Sequence, residues 1–186
     1  MRMPTILTAA LLFLAVSSGL AQGLEDQPGY LSLDKLDLFP HDKQLSVEVN
    51  LEGAILRMVA EATRGDDPEF ASVMAGLKAI YVRVLPLAGA DAGAVKSKID
   101  RAVRLLEDRG WHSTVKVREG GEETYIYLKE ADGKIAGLTL LSLEPGDEAV
   151  AINIVGRIDP AQIGRLGRHF DIPQLEKVPA PGKKPE

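Results

Sequence analysis

The sequence contains no cysteine, little histidine and few aromatic residues. Without cysteine, the chain has no disulfide, no thiol nucleophile and no residue that could carry the lipid of a bacterial lipoprotein. The three histidines fall in three different predicted elements, at His41, His112 and His169. Chemistry that needs clustered histidine ligands or a histidine beside a nucleophile therefore has little support in this chain.

Beyond the first 21 residues the chain also lacks a long apolar run. The N-terminal segment has one basic residue, Arg2, followed by residues 6–16, which are apolar except for Thr8, and by small side chains at Gly19 and Ala21. This pattern is typical of a secretory signal peptide, and the run is shorter than the roughly 20 residues of a membrane-spanning helix. We expect cleavage between Ala21 and Gln22 and a periplasmic or secreted protein. An uncleaved anchor is the alternative.

The rest of the chain is acidic and has the length of one domain. Removing residues 1–21 takes away only Arg2 among the charged residues, which leaves 21 basic and 27 acidic residues and a formal charge of −6. This balance argues against nucleic acid or an anionic membrane surface as the main partner. We predict a single domain over residues 22–172 and a flexible tail, rich in proline and lysine, over residues 173–186.

The first half of this domain alternates strand and helix patterns. A short edge strand is expected at residues 30–33, and alternation over residues 45–49 indicates another strand. Asn50 is then expected to cap a helix that ends near Gly65. The predicted apolar face of this helix consists of Leu51, Ile55, Met58, Val59 and Ala62.

Two further helices flank a strand that ends at Pro86. Asp67 caps the first of them, with Pro68 at its first position, and Asp91 caps a longer helix that is closed by Gly110. The apolar face of the longer helix consists of Val95, Ile99, Ala102, Val103 and Leu106.

The second half is predicted to be an antiparallel meander. Turn residues separate four alternating stretches, which are residues 112–118, 124–129, 134–143 and 149–157. Gly156 gives the last strand a flexible exit, and Asp159 caps a final helix that carries Phe170. We therefore predict an α+β fold in two layers, a mostly antiparallel sheet with this four-stranded C-terminal meander and all helices packed on one face.

Several segments between Gly29 and Phe170 resemble one bacterial envelope family. They include "PGYLSL", "LSVEVNLEGAILRMV", "RGWHSTVKV", "KIAGLTLLSLE" and "AVAINIVGRIDPAQIGRL". The family is domain of unknown function 4252. The resemblance implies a small exported protein of the cell envelope, linked to extracytoplasmic stress signalling, and it supplies no catalytic residues. Members with a lipid anchor need a cysteine, so its absence here indicates a soluble periplasmic form.

A search for catalytic or metal-binding patterns yields little. His112 and Ser113 are neighbours on a predicted strand, so their side chains point to opposite faces and cannot easily act together. The acidic pairs of the chain lie in turns and lack the spacing of a metal loop. The glycines lack the lysine of a phosphate-binding loop and the arrangement of a dinucleotide motif. We predict no cofactor and no metal.

The second face of the predicted meander is the candidate binding surface. If Ile126 points to the helices, Tyr125 and Tyr127 point away from them, next to basic or polar neighbours. Such a face suits a peptide, a glycan or a lipid headgroup, although cross-strand packing is the explanation that we favour. The residues of this candidate surface are Tyr125, Tyr127, Arg118, Asn153 and Arg157.

Arg157 raises a separate question, because it follows Gly156 where the last strand ends. We interpret this position as a structural corner, with a ligand site as the alternative. For the whole protein we expect a non-enzymatic envelope module that binds a protein or small ligand. A periplasmic hydrolase is the alternative, and a pocket with a serine or carboxylate within reach of a histidine would favour it.

Overall fold

A six-stranded antiparallel sheet forms the centre of the computed structural model, which describes residues 23–39, 44–88, 91–159 and 168. The strands are β1 (Val47–Glu52), β2 (Leu77–Pro86), β3 (His112–Glu119), β4 (Glu122–Ala131), β5 (Lys134–Leu143) and β6 (Glu148–Gly156). Their order across the sheet is β1-β2-β6-β5-β4-β3, with every neighbouring pair antiparallel. The α+β class is confirmed, and β3 to β6 pair in succession as a meander.

The described ranges contain three α-helices, which connect the strands. They are α1 (Gly53–Thr63), α2 (Pro68–Gly76) and α3 (Ala92–Asp108). The first two join β1 to its neighbour β2, whereas α3 carries the chain from β2 to β3 at the far edge. None of the helices in the described part of the chain has the length and apolar character of a membrane span.

The helices lie on both faces of the sheet, so the prediction of a single helical face is wrong. Ile126 of β4 packs in the apolar cluster that contains α1 and α2. Its neighbours Tyr125 and Tyr127 point the other way, into the cluster formed with α3. Both sides of the meander present apolar side chains, and the apolar stripe of α3 keeps water from the second side. We call the two sides the α1–α2 face and the α3 face.

The first helix starts later than the sequence indicates and turns a different side to the sheet. Asn50 lies within β1, and the N-cap position of α1 is Glu52, which makes no side-chain capping bond. Leu56 and Ala60 are buried, while Ile55 and Met58 of the predicted apolar face are 44% and 65% exposed. The prediction counted Leu51 as helical, although it belongs to the strand, and this moved the expected face around the helix axis.

The other two helices begin as predicted. Asp67 accepts a hydrogen bond from the Phe70 backbone N–H at 2.9 Å, and Asp91 accepts one from the Ala94 N–H at 3.1 Å. The five predicted apolar residues of α3 are all buried. Local capping therefore determines where these two helices begin, and the 3.6-residue periodicity determines which side of α3 is buried.

Residues 29–38 cross the α3 face with a short 3-10 helix at Asp34–Leu36 and no strand, so the edge strand expected at residues 30–33 is not formed. Gly29 lies directly on the backbone of Gly137, where a Cβ on Gly137 would come within 2.5 Å of the Gly29 Cα. Leu31, Leu33 and Leu38 are buried against α3 and β2. We call residues 29–38 the N-terminal strap.

Some predictions concern residues that the structure does not describe. The signal peptide with its cleavage point, the C-terminal tail and all of the final helix after Asp159 except residue 168 lie outside the described ranges. The same is true of His41 and His169.

Candidate functional site

Both tyrosines of the predicted binding surface lie beneath α3. Tyr125 and Tyr127 are 1% and 0% exposed, because α3 packs on the face to which they point. The expectation that their rings point away from the helices is therefore wrong. Each ring fills a core position, and its hydroxyl group reaches polar partners at the edge of the helix. Lys116 Nζ and the Arg118 guanidinium also lie 5.4 and 5.6 Å from the centre of the Tyr125 ring.

The hydroxyl of Tyr125 belongs to a closed polar network. It accepts a hydrogen bond from Arg118 Nη2 at 2.9 Å and donates one to Glu123 Oε2 at 2.7 Å. Lys96 Nζ lies 2.6 Å from the same carboxylate oxygen. Burial alone raises the pKa of Glu123, but the hydrogen bonds from Lys96 and Tyr125 outweigh it and lower this pKa. The network joins α3 to β3 and β4.

Tyr127 is held in a similar way further along the same face. Its hydroxyl donates to Glu107 Oε1 at 2.8 Å. Burial, followed by this hydrogen bond, raises the pKa of Tyr127 to about 12. Tyr125 and Tyr127 thus act as anchors for α3, and their polar atoms are already engaged by the protein.

Asn153 is completely buried and holds the N-terminal strap. Its Oδ1 accepts from the Leu31 backbone N–H at 3.0 Å, and its Nδ2 donates to the Gly29 carbonyl at 3.1 Å. The same Nδ2 lies 3.2 Å from the Leu138 carbonyl and 3.1 Å from Thr139 Oγ1. With these bonds made, Asn153 positions the strap and offers no free group to a ligand.

The two arginines of the predicted surface lie at opposite ends of the sheet. Arg118 is near the end of β3, whereas Arg157 follows the end of β6. The cross-strand register places Glu123 beside Leu143 at the first end, and Leu77 beside Gly156 at the second. The five predicted site residues are therefore not brought together by the fold.

A different polar cleft opens on the α3 face, between the strap and the β1–β2 edge. It has a volume of about 290 Å³. Its lining includes Tyr30, Leu31, Ser32, Leu33 and Asp34 of the strap with Glu48, Asn50, Glu52, Tyr81 and Arg83 of the two strands. We call it the acidic cleft, because three carboxylates and one guanidinium line it.

Arg83 forms the floor of this cleft and is fully engaged. Its side chain is only 7% exposed and lies 3.5 Å from both Asp34 Oδ1 and Glu48 Oε1. Its Nη1 also donates to the carbonyl groups of Val49 and Val82, at 3.2 and 3.1 Å. The two carboxylates remain largely exposed, so Arg83 neutralises part of their charge from below while their outer oxygens face the solvent.

Two tyrosines form the aromatic part of the cleft. Tyr30 and Tyr81 pack edge to face, with ring centroids 6.0 Å apart. The Tyr81 hydroxyl donates to Glu52 Oε1 at 2.7 Å. Burial, followed by this bond, raises the pKa of Tyr81 well above its ordinary range. Tyr81 therefore stays protonated at neutral pH and holds the Glu52 carboxylate at the mouth of the cleft.

The cleft is equipped for binding through charge and aromatic contact. No histidine lines it, and the described residues contain no group of three histidine or acidic side chains arranged to hold a metal ion. His112 lies on β3, at the opposite edge of the sheet from β1. Its neighbour Ser113 pairs with Tyr127, so the two side chains point to opposite faces.

The sequence held a partial signal for this cleft. Tyr81 and Arg83 alternate with Ile80 and Val82 in β2, a strand that the structure places inside the sheet. Polar side chains in an interior strand indicate a face that is not wholly packed. The strap residues gave no comparable signal, because only the fold brings them to β2.

One protein-family model matches most of the chain. The family described as a domain of unknown function (DUF4252) matches residues 41–166. The chain belongs to the DUF4252 family. The matched range contains the six strands and three α-helices of the described residues, and it begins after Tyr30 and Asp34. No curated protein matches the chain.

Proposed function

We propose that the protein is an exported, non-enzymatic binding module of the cell envelope that takes a cationic group of its ligand in the acidic cleft. The pattern of residues 1–21 supports export. The family resemblance supports an envelope role linked to stress signalling. The observation that carries the binding site is the excess of exposed carboxylate around a buried and already paired arginine.

The net negative charge of the acidic cleft favours a positively charged ligand. Asp34, Glu48 and Glu52 contribute three negative charges, against one positive charge from Arg83. Because Arg83 is covered and bonded to two carboxylates and two carbonyls, it is not available to an anion. A concave wall with surplus negative charge raises the local concentration of cations.

The tyrosines favour an organic cation over a simple ion. An ammonium or guanidinium group gains energy over the face of an aromatic ring, in addition to its attraction to carboxylates. Tyr30 and Tyr81 are both partly exposed beside the carboxylates. A lysine or arginine side chain of a peptide fits this combination, since its apolar stem packs on the rings while its charged end meets the acids.

A titration with short peptides tests the site. We expect tri-lysine to bind the purified mature protein in calorimetry, with an affinity that falls as salt rises, and tri-glutamate not to bind. Glu48→Gln should weaken tri-lysine binding about fivefold, and the double change Glu48→Gln with Glu52→Gln should weaken it further. Glu119→Gln is the matched control, because Glu119 is an exposed carboxylate on the other edge strand, β3.

Two results would count against the proposal. If the wild type and the double variant bind tri-lysine equally, the acidic cleft is not the binding site. Hydrolysis of a peptide or ester substrate that is lost on changing cleft residues would favour the hydrolase alternative. Export is checked separately, by cell fractionation and by sequencing the N-terminus of the mature protein, which we expect to start at Gln22.

A further inference from the structure

The end of the sheet farthest from Arg118 gathers three basic side chains. Lys78 lies at the start of β2, Lys134 begins β5 and Arg157 follows β6. Because β6 lies between β2 and β5 and runs antiparallel to both, these three positions meet at one end of the sheet. They line one groove of about 250 Å³.

The backbone fixes this corner without help from the arginine side chain. Gly156 has a φ of 136°, and a Cβ there would lie 2.7 Å from the Gly76 carbonyl oxygen and 2.7 Å from the Leu77 Cα. The close approach lets the Arg157 backbone N–H donate to the Gly76 carbonyl at 3.0 Å. The guanidinium of Arg157 lines the same groove as Lys78, while the backbone N–H of Arg157 makes the contact with Gly76.

The three cations are poorly neutralised by the protein. Within the described ranges, neither Lys134 nor Arg157 forms an ion pair, and Lys78 donates to the side chain of Gln27. Asp132 is the acidic residue of the groove lining, and Asp159 lies on an adjoining cavity that Lys134 and Arg157 also line.

We propose that this groove, which we call the basic groove, binds a phosphate monoester group. Three positive charges and one negative charge leave a surplus of two, which a dianionic oxyanion balances. The planar guanidinium of Arg157 matches two phosphate oxygens, and the lysines add point charges that a singly charged carboxylate would not fully use. This site is independent of the acidic cleft, since the two have no lining residue in common.

The lining also determines which sources of phosphate are worth testing. Besides its charged residues, the groove has apolar walls formed by Pro28, Ala131, Ile135 and Ala136. Such walls accept the carbon part of an organic phosphate as well as a free ion. The shared chemistry is the phosphate dianion, carried either by a soluble phosphate or by a lipid headgroup such as phosphatidic acid.

Calorimetry on the full mature chain tests the site with inorganic phosphate as the probe. We expect phosphate to bind at neutral pH, and acetate at the same ionic strength to bind far more weakly. Arg157→Gln should weaken phosphate binding about tenfold, because it removes a charge-assisted pair of hydrogen bonds. Lys134→Gln should weaken it by a smaller factor. Arg104→Gln is the matched control, an exposed arginine on α3 that should leave binding unchanged.

A second arm identifies the source of the phosphate group. Flotation with phosphatidylcholine vesicles, with and without phosphatidic acid, distinguishes a lipid headgroup from a soluble ligand. Retention on the phosphatidic acid vesicles that Arg157→Gln removes assigns a lipid source. Phosphate binding without vesicle binding assigns a soluble one. The proposal is overturned if the wild type does not distinguish phosphate from acetate in the first arm, or if Arg157→Gln with Lys134→Gln binds phosphate as the wild type does.

Discussion

The two faces of the sheet are built from different kinds of side chain. On the α1–α2 face the core consists of aliphatic residues and Phe70, with one polar pair, Thr124 and Ser142, at one end. The α3 face buries Arg83, Asn153 and Thr139 as well as two tyrosines. One face therefore depends on packing alone over most of its area, and the other depends on packing combined with directed hydrogen bonds.

This difference determines where binding sites can form. A buried polar group is costly unless it is hydrogen-bonded, and in the described residues every buried side-chain nitrogen or oxygen atom has a partner. On the α3 face those partners fix the strap and the orientation of Arg83, and the acidic cleft follows from both. The α1–α2 face lacks such groups over most of its area and contributes mainly to stability.

The largest expected effect is on the packed face. Phe70 is 1% exposed within the α1–α2 cluster, so Phe70→Ala removes its ring and leaves a cavity. We expect the free energy of unfolding to fall by about 3–5 kcal/mol in urea melts. The loss should be the same at pH 5 and pH 7, because no titrating group is involved. A loss below 1 kcal/mol would contradict the assignment of this face as the main source of stability.

The next effect tests the directed hydrogen bonds of the α3 face. Asn153→Ala leaves the Leu31 N–H and the Gly29 carbonyl without their partner, and we expect a loss of about 2–3 kcal/mol. The strap should also become sensitive to limited proteolysis between residues 29 and 38. Asn50→Ala is the control, since Asn50 is exposed on β1 and should change stability by less than about 0.5 kcal/mol. If the strap of Asn153→Ala stays resistant to proteolysis, Asn153 does not hold the strap in place.

A smaller expected effect is a pH-dependent loss of stability on the α3 face, which the α1–α2 face should not show. Glu123→Gln weakens the bonds to Lys96 and Tyr125 and should cost about 1–2 kcal/mol at pH 7. Because the folded-state pKa of Glu123 is lowered, its contribution is present above the ordinary glutamate pKa and is lost as pH falls through the folded value. The difference between the urea melts of wild type and variant should therefore shrink as the pH falls below the ordinary glutamate pKa of about 4.3. A constant difference at all pH values would mean that the carboxylate charge is not what stabilises this network.

The sequence predicts the parts of this fold that depend on near neighbours. The caps at Asp67 and Asp91 and the buried stripe of α3 follow from residues three or four apart. The face on which α3 packs does not, because it depends on the order of strands across the whole sheet. Asn153 bonds to Leu31 across 122 residues of chain. The acidic cleft depends on that contact, so no local pattern could place Tyr30 beside Tyr81.

The smallest expected effect concerns the corner at Arg157. The guanidinium is exposed and forms no ion pair within the described ranges, while the backbone N–H of the same residue holds the corner. Arg157→Ala keeps that N–H, so we expect the free energy of unfolding to change by less than about 0.5 kcal/mol in urea melts. Gly156→Ala is the contrasting change, because its Cβ would collide with the backbone of Gly76 and Leu77, and it should destabilise the protein clearly. A loss above 1 kcal/mol for Arg157→Ala would make the guanidinium part of the corner itself and would explain its position without any ligand.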